Sequence, residues 1–213
     1  MRIAVFGAAG NVGRRIVAEA LARGHEVTAV VRDAARLEEV NAAARGRTGD
    51  AANVDDVAAL GRGHDVVVGA TRPPAGRERD LVTAARALLA GVAQTDARLV
   101  LVGGAATLAV PGGAGTKVMD DPRFLEPAYR AIALACAAQL EACRAEGSAD
   151  WTYLSPPALL EPGTRTGHYR LGGDELLLDA AGQSVISMED FAVAVLDEVE
   201  RPAHRRARFT VGY

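Results

Sequence analysis

Three glycines near the start of the sequence have the spacing of a nucleotide-binding turn. Residues 7–13 read GAAGNVG. Gly7 allows a sharp turn, Gly10 has no Cβ and lets a pyrophosphate approach the backbone at the positive end of a helix, and Gly13 allows close helix–strand packing. A glycine pattern alone is a weak signal, and the alternative is a tight turn in a protein that binds no nucleotide.

The segments on either side supply the context that the glycine pattern needs. Residues 2–6 (RIAVF) and 26–32 (EVTAVVR) are short apolar runs typical of strands buried on both faces. Between them, apolar residues recur at helical spacing, and Gly24 stands where a helix C-cap is expected. Strand, glycine turn, helix and strand in this order predict a dinucleotide-binding unit.

Arginines around this unit favour NADP(H) over NAD(H). Arg32 ends the second predicted strand, where NAD-selective proteins place an acidic residue against the ribose hydroxyls. A guanidinium there suits a 2′-phosphate, which it can bind through two parallel hydrogen bonds. Arg36, one helical turn further along, and Arg14, just after the third glycine, could contribute. For each of these two, a solvated surface charge is an equally good interpretation.

A second chemically informative stretch follows the strand predicted over residues 98–102 (RLVLV). Residues 103–108 (GGAATL) should lie at the carboxyl-end crevice of an open α/β sheet, where nicotinamide and substrate would meet. Thr107 is the hydroxyl best placed to touch a substrate carbonyl. Residues 109–126 form a long loop rich in Pro and Gly, which we expect to be a wall or lid of the substrate pocket.

Asp50 has two interpretations that are compatible with each other. It follows a short predicted strand, residues 46–49, and strand-end positions in a doubly wound sheet face the cofactor, so the Asp50–Ala51 pair could contact the adenine. Alternatively, Asp50 only starts a turn, and Asn53 caps a helix predicted over residues 54–60.

The remaining elements complete an α/β alternation. We predict further helices over residues 34–44, 77–92, 126–146 and 188–199, further strands over residues 65–69, 151–154 and 209–211, and a small hairpin formed by residues 176–178 and 185–186. The fold predicted is a single-domain Rossmann-like, doubly wound parallel sheet flanked by helices over residues 1–213. A small substrate-side region is expected at about 105–125 and 156–187.

Length and composition exclude several classes of protein. The 213 residues suit one α/β domain. With a net charge of −3, the sequence lacks the excess of basic residues that is typical of nucleic-acid-binding proteins. We recognise no signal peptide and no apolar run of the roughly 20 residues that span a bilayer, so we expect a cytoplasmic protein with no membrane partner.

The cysteines and histidines indicate no metal site. Cys136 and Cys143 lie seven residues apart on one predicted helix, too far for a disulfide, and no Cys/His cluster has metal-ligand spacing. We expect a monomer or homodimer, and the richness in Ala, Arg and Gly suggests a GC-rich bacterial genome.

With these stretches placed, the whole sequence resembles the small, atypical members of the short-chain dehydrogenase/reductase superfamily. This NAD(P)H-binding group includes biliverdin reductase B (flavin reductase) and NmrA-like proteins. The glycine turn and residues 30–36 (VVRDAAR) carry most of the resemblance. The resemblance implies that the pyrophosphate is contacted by Gly7, Ala9, Gly10, Asn11 and Val12, and the 2′-phosphate by Arg32 and Arg36. It implies that Asp50 and Ala51 contact the adenine, and that Ala70, Thr71 and Arg72 contact the ribose. The nicotinamide would be contacted by Gly103, Gly104 and Thr107, and that end of the site would be closed by Pro156, Pro157 and Ala158.

One departure from the superfamily bears on the chemistry. Standard members use Y-x-x-x-K, in which the lysine lowers the pKa of the tyrosine hydroxyl so that it can transfer a proton. Here Tyr129 is followed four residues later by Ala133. Tyr129 is therefore predicted to be a poor general base, and packing by its ring is the alternative role.

The sequence as a whole predicts an NADPH-dependent reductase. Its acceptor would be flat and conjugated, such as a flavin or quinone, because reduction of such acceptors depends mainly on positioning. Thr107 and Tyr129 are the candidate catalytic residues. The alternative is a non-catalytic NADP(H)-sensing protein like NmrA-like relatives, and a third hypothesis is an epimerase- or dehydratase-like enzyme.

Overall fold

The computed structural model describes residues 1–213. Its strands and α-helices are β1 (Arg2–Phe6), α1 (Asn11–Ala22), β2 (Glu26–Val31), β3 (Arg45–Thr48), α2 (Val54–Gly61), β4 (Val66–Gly69), α3 (Asp80–Val92), β5 (Arg98–Val102), α4 (Arg130–Arg144), β6 (Trp151–Ser155), β7 (Leu159–Glu161), β8 (Arg170–Gly172), β9 (Val185–Ser187), α5 (Met188–Glu200) and β10 (Ala207–Gly212). Short 3₁₀ helices occupy Ala34–Glu39, Val118–Asp120 and Pro127–Tyr129.

Eight of the strands form one sheet in the order β3-β2-β1-β4-β5-β6-β10-β8. All neighbouring pairs from β3 to β10 are parallel, and only β8 runs antiparallel, on β10. The chain moves outward from β1 to β3 and then resumes on the other side of β1 at β4. This reversal is the topological switch point of a doubly wound sheet. The predicted Rossmann-like fold class is therefore confirmed.

Helices cover both faces of the sheet, which is why its central strands are continuous apolar runs. Helix α1 packs on α5 at one face, while α2, α3 and α4 pack side by side on the other. In β1, Ile3 and Val5 enter the first core, and Ala4 and Phe6 enter the second. Burial on both faces is typical of parallel sheets.

A third, smaller cluster lies outside the two main cores. It is built from Leu108, Val110, Val118 and Leu176, with Phe124 and other half-buried side chains packed against it. These residues come from the loop after β5 and from the segment after β8. This small apolar cluster therefore holds the loop over residues 109–126 in place.

Two sequence predictions of local structure are wrong. The helix predicted over residues 34–44 is a 3₁₀ helix that stops at Glu39, because Val40 is extended and the Asn41 side chain accepts from the Ala43 N–H to start an Asx turn. The predicted hairpin does not form either. Leu176 joins the small cluster, and β9 pairs in parallel with β7, a strand that the sequence did not predict.

Several helix ends also differ from the predictions. Helix α3 begins at Asp80 rather than Arg77, because Glu78 accepts from the Gly76 N–H and holds a turn ahead of it. Helix α4 begins at Arg130, after a 3₁₀ turn. Edge strand β8 was not predicted. None of the helices combines the length and apolar character needed to cross a membrane.

Candidate cofactor and active site

The glycine turn after β1 is packed so closely that two of its glycines have no room for a side chain. Gly7 has a φ of +82°, and a Cβ there would lie 2.5 Å from the Ala70 carbonyl oxygen. A Cβ on Gly13 would lie 2.1 Å from the Gly7 carbonyl oxygen. The turn, the start of α1 and the end of β4 therefore meet through backbone alone, as the spacing predicts.

The start of α1 offers unpaired hydrogen-bond donors. No side chain caps the helix, and its first turn holds no acidic residue. The backbone N–H groups of Asn11, Val12 and Gly13 donate to no acceptor in the protein. Because helix N-termini carry partial positive charge, this end of α1 fits a pyrophosphate.

Two arginines converge on the glycine turn from different elements. Arg14 in α1 and Arg36 in the 3₁₀ helix after β2 each donate to the Ala9 carbonyl oxygen, at 3.1 and 3.0 Å. Arg36 also binds Glu39 through two nitrogens. Arg32 is exposed and has no ion pair or hydrogen bond from its side chain. Arg14 and Arg36 thus lie against one edge of the turn, and Arg32, just after β2, is free to bind an anion.

Asp50 is built into a turn at the end of β3. Its carboxylate accepts from the Ala52 N–H at 2.9 Å, and its own N–H donates to Asp56 at 2.8 Å. Asn53 caps α2 by accepting from the N–H groups of Asp55 and Asp56. The turn and cap predicted from the sequence are present, and contact of Asp50 and buried Ala51 with an adenine stays a prediction.

The strand ends bring the other expected cofactor residues to the same edge of the sheet. The register aligns Phe6 of β1 with Val30 of β2 and Gly69 of β4. The Ala70 N–H bonds to the Phe6 carbonyl at 2.9 Å, so Ala70, Thr71 and the exposed Arg72 leave the sheet beside the glycine turn. Gly103 leaves β5 in the same direction, its N–H bonded to β6 at Leu154.

Gly103 and Gly104 rest on a buried tyrosine that the sequence did not single out. A Cβ on Gly103 would lie 2.0 Å from the Tyr153 ring, and one on Gly104 would lie 2.6 Å from Cys136 Sγ. The Tyr153 hydroxyl accepts from the Gly104 N–H at 3.1 Å and lies 3.1 Å from the Gln139 side-chain oxygen. Burial raises the pKa of Tyr153 well above its ordinary value, so it stays protonated. Its role here is to hold the glycine pair.

Thr107 lies in a turn closed by the hydrogen bond from the Leu108 N–H to the Ala105 carbonyl. The Thr107 hydroxyl oxygen accepts from Arg208 Nη1 at 3.3 Å, and Arg208 is paired with Asp174. Arg208 and Asp174 are not among the residues that the sequence predicts for the site. No local pattern marks them, because only the pairing of β10 with β6 brings Arg208 to this edge.

The other candidate catalytic residue has a different environment. Tyr129 ends a 3₁₀ turn ahead of α4, and it is 52% exposed. Its hydroxyl makes no hydrogen bond within the protein. Neither a catalytic role nor the alternative of ring packing gains a contact from the structure, and both stay predictions.

Buried prolines follow β6 at the expected end of the crevice. Pro156 and Pro157 are buried and Ala158 is half-buried. The Ala158 N–H donates to Ser184 at 3.3 Å. Ser155, just before the prolines, is completely buried, and its hydroxyl has no hydrogen-bond partner. These residues lie where the resemblance expects the nicotinamide end to close, and their contact with a cofactor stays a prediction.

Comparison with known proteins indicates a nicotinamide cofactor. A family model described as NAD(P)H-binding matches residues 7–202. YwnB of Bacillus subtilis, an uncharacterised protein, is 39% identical over 213 residues, covering 99% of this chain and 98% of YwnB.

Two solved structures of full-length relatives carry different functional names. A candidate epimerase from Bacteroides thetaiotaomicron is 35% identical, with a TM-score of 0.89, covering 100% of this chain and 96% of that one. A candidate NADH-flavin reductase from Streptococcus pneumoniae is 29% identical, with a TM-score of 0.85, covering 100% of this chain and 99% of that one.

Proposed function

The chain belongs to the NAD(P)H-binding family, and from this premise we propose that it is an NADPH-dependent reductase of flat, conjugated acceptors such as flavins or quinones. A nicotinamide cofactor supplies the hydride in such a reaction. Positioning the two reactants against each other is then the protein's main contribution, and solvent can deliver the proton.

The cofactor half of the proposal is supported by the donors at the start of α1. The N–H groups of Asn11, Val12 and Gly13 would hold the pyrophosphate, and Gly10 leaves the approach open. Arg32, with Arg36 and Arg14 beside it, would hold a 2′-phosphate, which favours NADPH. The Streptococcus pneumoniae relative is named for NADH. The NADPH preference proposed here rests on the arginines of the present chain.

The observation that carries the reductase assignment is the Thr107 hydroxyl at the carboxyl end of β5, held by Arg208. It lies beside the glycine pair that would face the nicotinamide, so it can donate to an oxygen or nitrogen of an acceptor. No lysine supports Tyr129 as a proton-transfer group, since Ala133 occupies that position. The site is thus better suited to hydride transfer guided by hydrogen bonds than to epimerase or alcohol dehydrogenase chemistry.

The test is NADPH consumption by the purified protein with a panel of flavins and quinones. NADH and a Thr107→Ala variant are run in parallel. Turnover that prefers NADPH and falls in the variant supports the proposal. Tight binding of NADP⁺ and NADPH without reduction of any acceptor contradicts it and favours the NADP(H)-sensing alternative, for which the search turns to protein partners.

A further inference from the structure

A buried arginine lies against the turn that carries Thr107. Arg208 stands in β10 opposite Tyr153 of β6, and 4% of its side chain is exposed. Its Nη1 donates to Thr107 Oγ1 at 3.3 Å, and its Nε donates to Asp174 Oδ1 at 2.6 Å. The Asp174 side chain is 76% exposed. The guanidinium is therefore enclosed by protein while its counter-charge is solvated.

The turn that carries Thr107 is fixed on both sides. The Asp174 backbone carbonyl accepts from the Ala109 N–H at 2.9 Å, so Asp174 holds both the loop and the guanidinium. On the other side, the Ala106 carbonyl accepts from the Met119 N–H at 3.0 Å. The segment that carries Thr107 is therefore held by backbone hydrogen bonds on both sides of this residue, and the orientation of the Thr107 hydroxyl is defined.

The chemistry of the Arg208–Thr107 contact determines what the hydroxyl can do. A guanidinium only donates hydrogen bonds, so Thr107 Oγ1 must be the acceptor and its own proton is left free. The nearby Tyr153 hydroxyl already accepts from Gly104 and donates toward α4. Ser155 is completely buried. Thr107 is half-buried at this edge, and its proton is available to a ligand.

We propose that Arg208 is a positioning residue that makes the Thr107 hydroxyl a fixed hydrogen-bond donor to the electron acceptor. This inference rests on the reductase function proposed above and narrows its substrates. The acceptor must present an oxygen or nitrogen atom that gains negative charge on reduction, as quinone carbonyls and flavin rings do. A charged donor behind the hydroxyl strengthens it, because hydrogen bonds in a chain polarise one another.

The reaction balances without a proton from the protein. The acceptor receives a hydride with both electrons, and solvent delivers the proton that completes the reduction. Thr107 keeps its proton and Arg208 keeps its charge throughout. Together they provide a hydrogen-bond donor, the Thr107 hydroxyl, that already points to the acceptor atom on which negative charge develops. The donor lowers the reaction barrier because the protein does not have to reorganise during hydride transfer.

A double-mutant cycle on Thr107 and Arg208 tests the inference. Thr107→Val keeps the shape but removes the hydroxyl, and Arg208→Met removes the donor behind it. Each single change should lower kcat with the best acceptor about tenfold or more, with the KM for NADPH unchanged. Arg208→Met should cost less than about twofold in the Thr107→Val background, because the residue acts through that hydroxyl. Thr107→Ser should keep most of the activity.

Riboflavin binding gives a second readout that does not depend on turnover. Its affinity for the NADP⁺ complex, measured by quenching of flavin fluorescence, should show the same coupling between the two positions. Arg205→Met is the matched control, because Arg205 lies just before β10 and pairs with Asp150 at the opposite edge of the sheet. It should leave both readouts unchanged.

The outcomes separate this inference from the function on which it rests. If wild type reduces an acceptor but Arg208→Met costs the same factor with and without the Thr107 hydroxyl, the positioning role is overturned and the reductase stands. If wild type neither reduces nor binds any flavin or quinone, both fail. Should Arg208→Met not fold, Asp174→Asn replaces it, since Asp174 is exposed. Its smaller loss must also vanish in the Thr107→Val background.

Discussion

The buried guanidinium of Arg98 is paired with the carboxylate of Glu198, joining β5 to α5 at the amino-terminal edge of the sheet. Arg98 Nη1 also donates to the Glu198 carbonyl oxygen at 2.9 Å. Both side chains are nearly inaccessible, with 7% and 3% exposed. His204 and the Ala203 N–H complete the shell around the carboxylate.

We predict that Glu198→Gln lowers the free energy of unfolding by about 3 kcal/mol. The change leaves the charge of Arg98 buried without its counter-charge, and breaking a buried pair in this way costs more than the pair itself contributes. Urea unfolding at pH 7 measures the change. Glu38→Gln is the control, because Glu38 is exposed and has no ion pair. Equal stabilities of the two variants would contradict the prediction.

The Glu198 carboxylate should also make the free energy of unfolding depend on pH. Burial alone would raise the pKa of Glu198, but hydrogen bonds from His204 and Arg98 outweigh it, and the net pKa is below the ordinary value. A lowered pKa in the folded state contributes stability that is present above the unfolded value, about 4.3, and is lost as pH falls through the folded value. Unfolding measured between pH 7 and 3 should show this loss. The fall should be shallower in Glu198→Gln, and parallel curves would show that Glu198 is not responsible.

Gly10 and Gly13 should respond differently to the same substitution. A Cβ at Gly13 would lie 2.1 Å from the Gly7 carbonyl oxygen, whereas one at Gly10 would lie 3.1 Å from the same oxygen and 3.9 Å from the Ala70 carbonyl oxygen. Gly13→Ala should therefore destabilise the fold by about 2 kcal/mol or more and weaken NADPH binding. Gly10→Ala should weaken NADPH binding with a stability change under about 1 kcal/mol. Thermal unfolding and cofactor titration separate the two effects, and equal melting temperatures would refute the distinction.

Arg32 should decide between the two nicotinamide cofactors. Arg32→Ala should weaken NADPH binding by about ten- to a hundredfold and leave NADH binding nearly unchanged, because charge-assisted hydrogen bonds to phosphate contribute roughly 1.5–3 kcal/mol. Isothermal titration with both cofactors measures the ratio. Arg45→Ala is a matched control on exposed β3. An unchanged ratio of affinities in Arg32→Ala would remove the basis for NADPH preference.

Changing each of the two tyrosines beside α4 to phenylalanine should affect the stability of the protein differently. Tyr153→Phe removes the acceptor of the Gly104 N–H and should cost about 1–3 kcal/mol of stability. Tyr129→Phe removes an exposed hydroxyl with no partner, so it should change stability by less than about 0.5 kcal/mol and leave kcat with a quinone nearly unchanged. A large fall in kcat for Tyr129→Phe would instead support a catalytic role for Tyr129.

The sequence predicts the sheet well where local signals are sufficient. Glycine spacing, apolar runs and the Asn53 cap depend on residues close together in the chain, and each is present in the structure. The predictions of local structure are wrong where strand pairing or apolar packing joins residues that are far apart in the chain. Strand β9 prefers β7 to the expected neighbour, and Leu176 is drawn into a cluster with residues of the loop after β5.

Long-range pairing also explains what the site prediction lacked. Arg208 reaches the crevice because β10 pairs with β6, and Tyr153 reaches it because β6 pairs with β5, so no spacing rule could identify them. The assigned cofactor contacts, the acceptor, the cytoplasmic location and the oligomeric state stay predictions.

Strand order has a consequence for how the protein assembles. Strand β8 precedes β10 in the chain but pairs only with it, so β8 has no place in the sheet until β10 has joined β6. Helix α5, which packs on α1 and shares its apolar core, ends at Glu200, ahead of β10 in the chain. Thr107 acquires its arginine only at the last step. A chain that ends before β10 therefore keeps α1 and α5 but lacks the arginine that contacts Thr107.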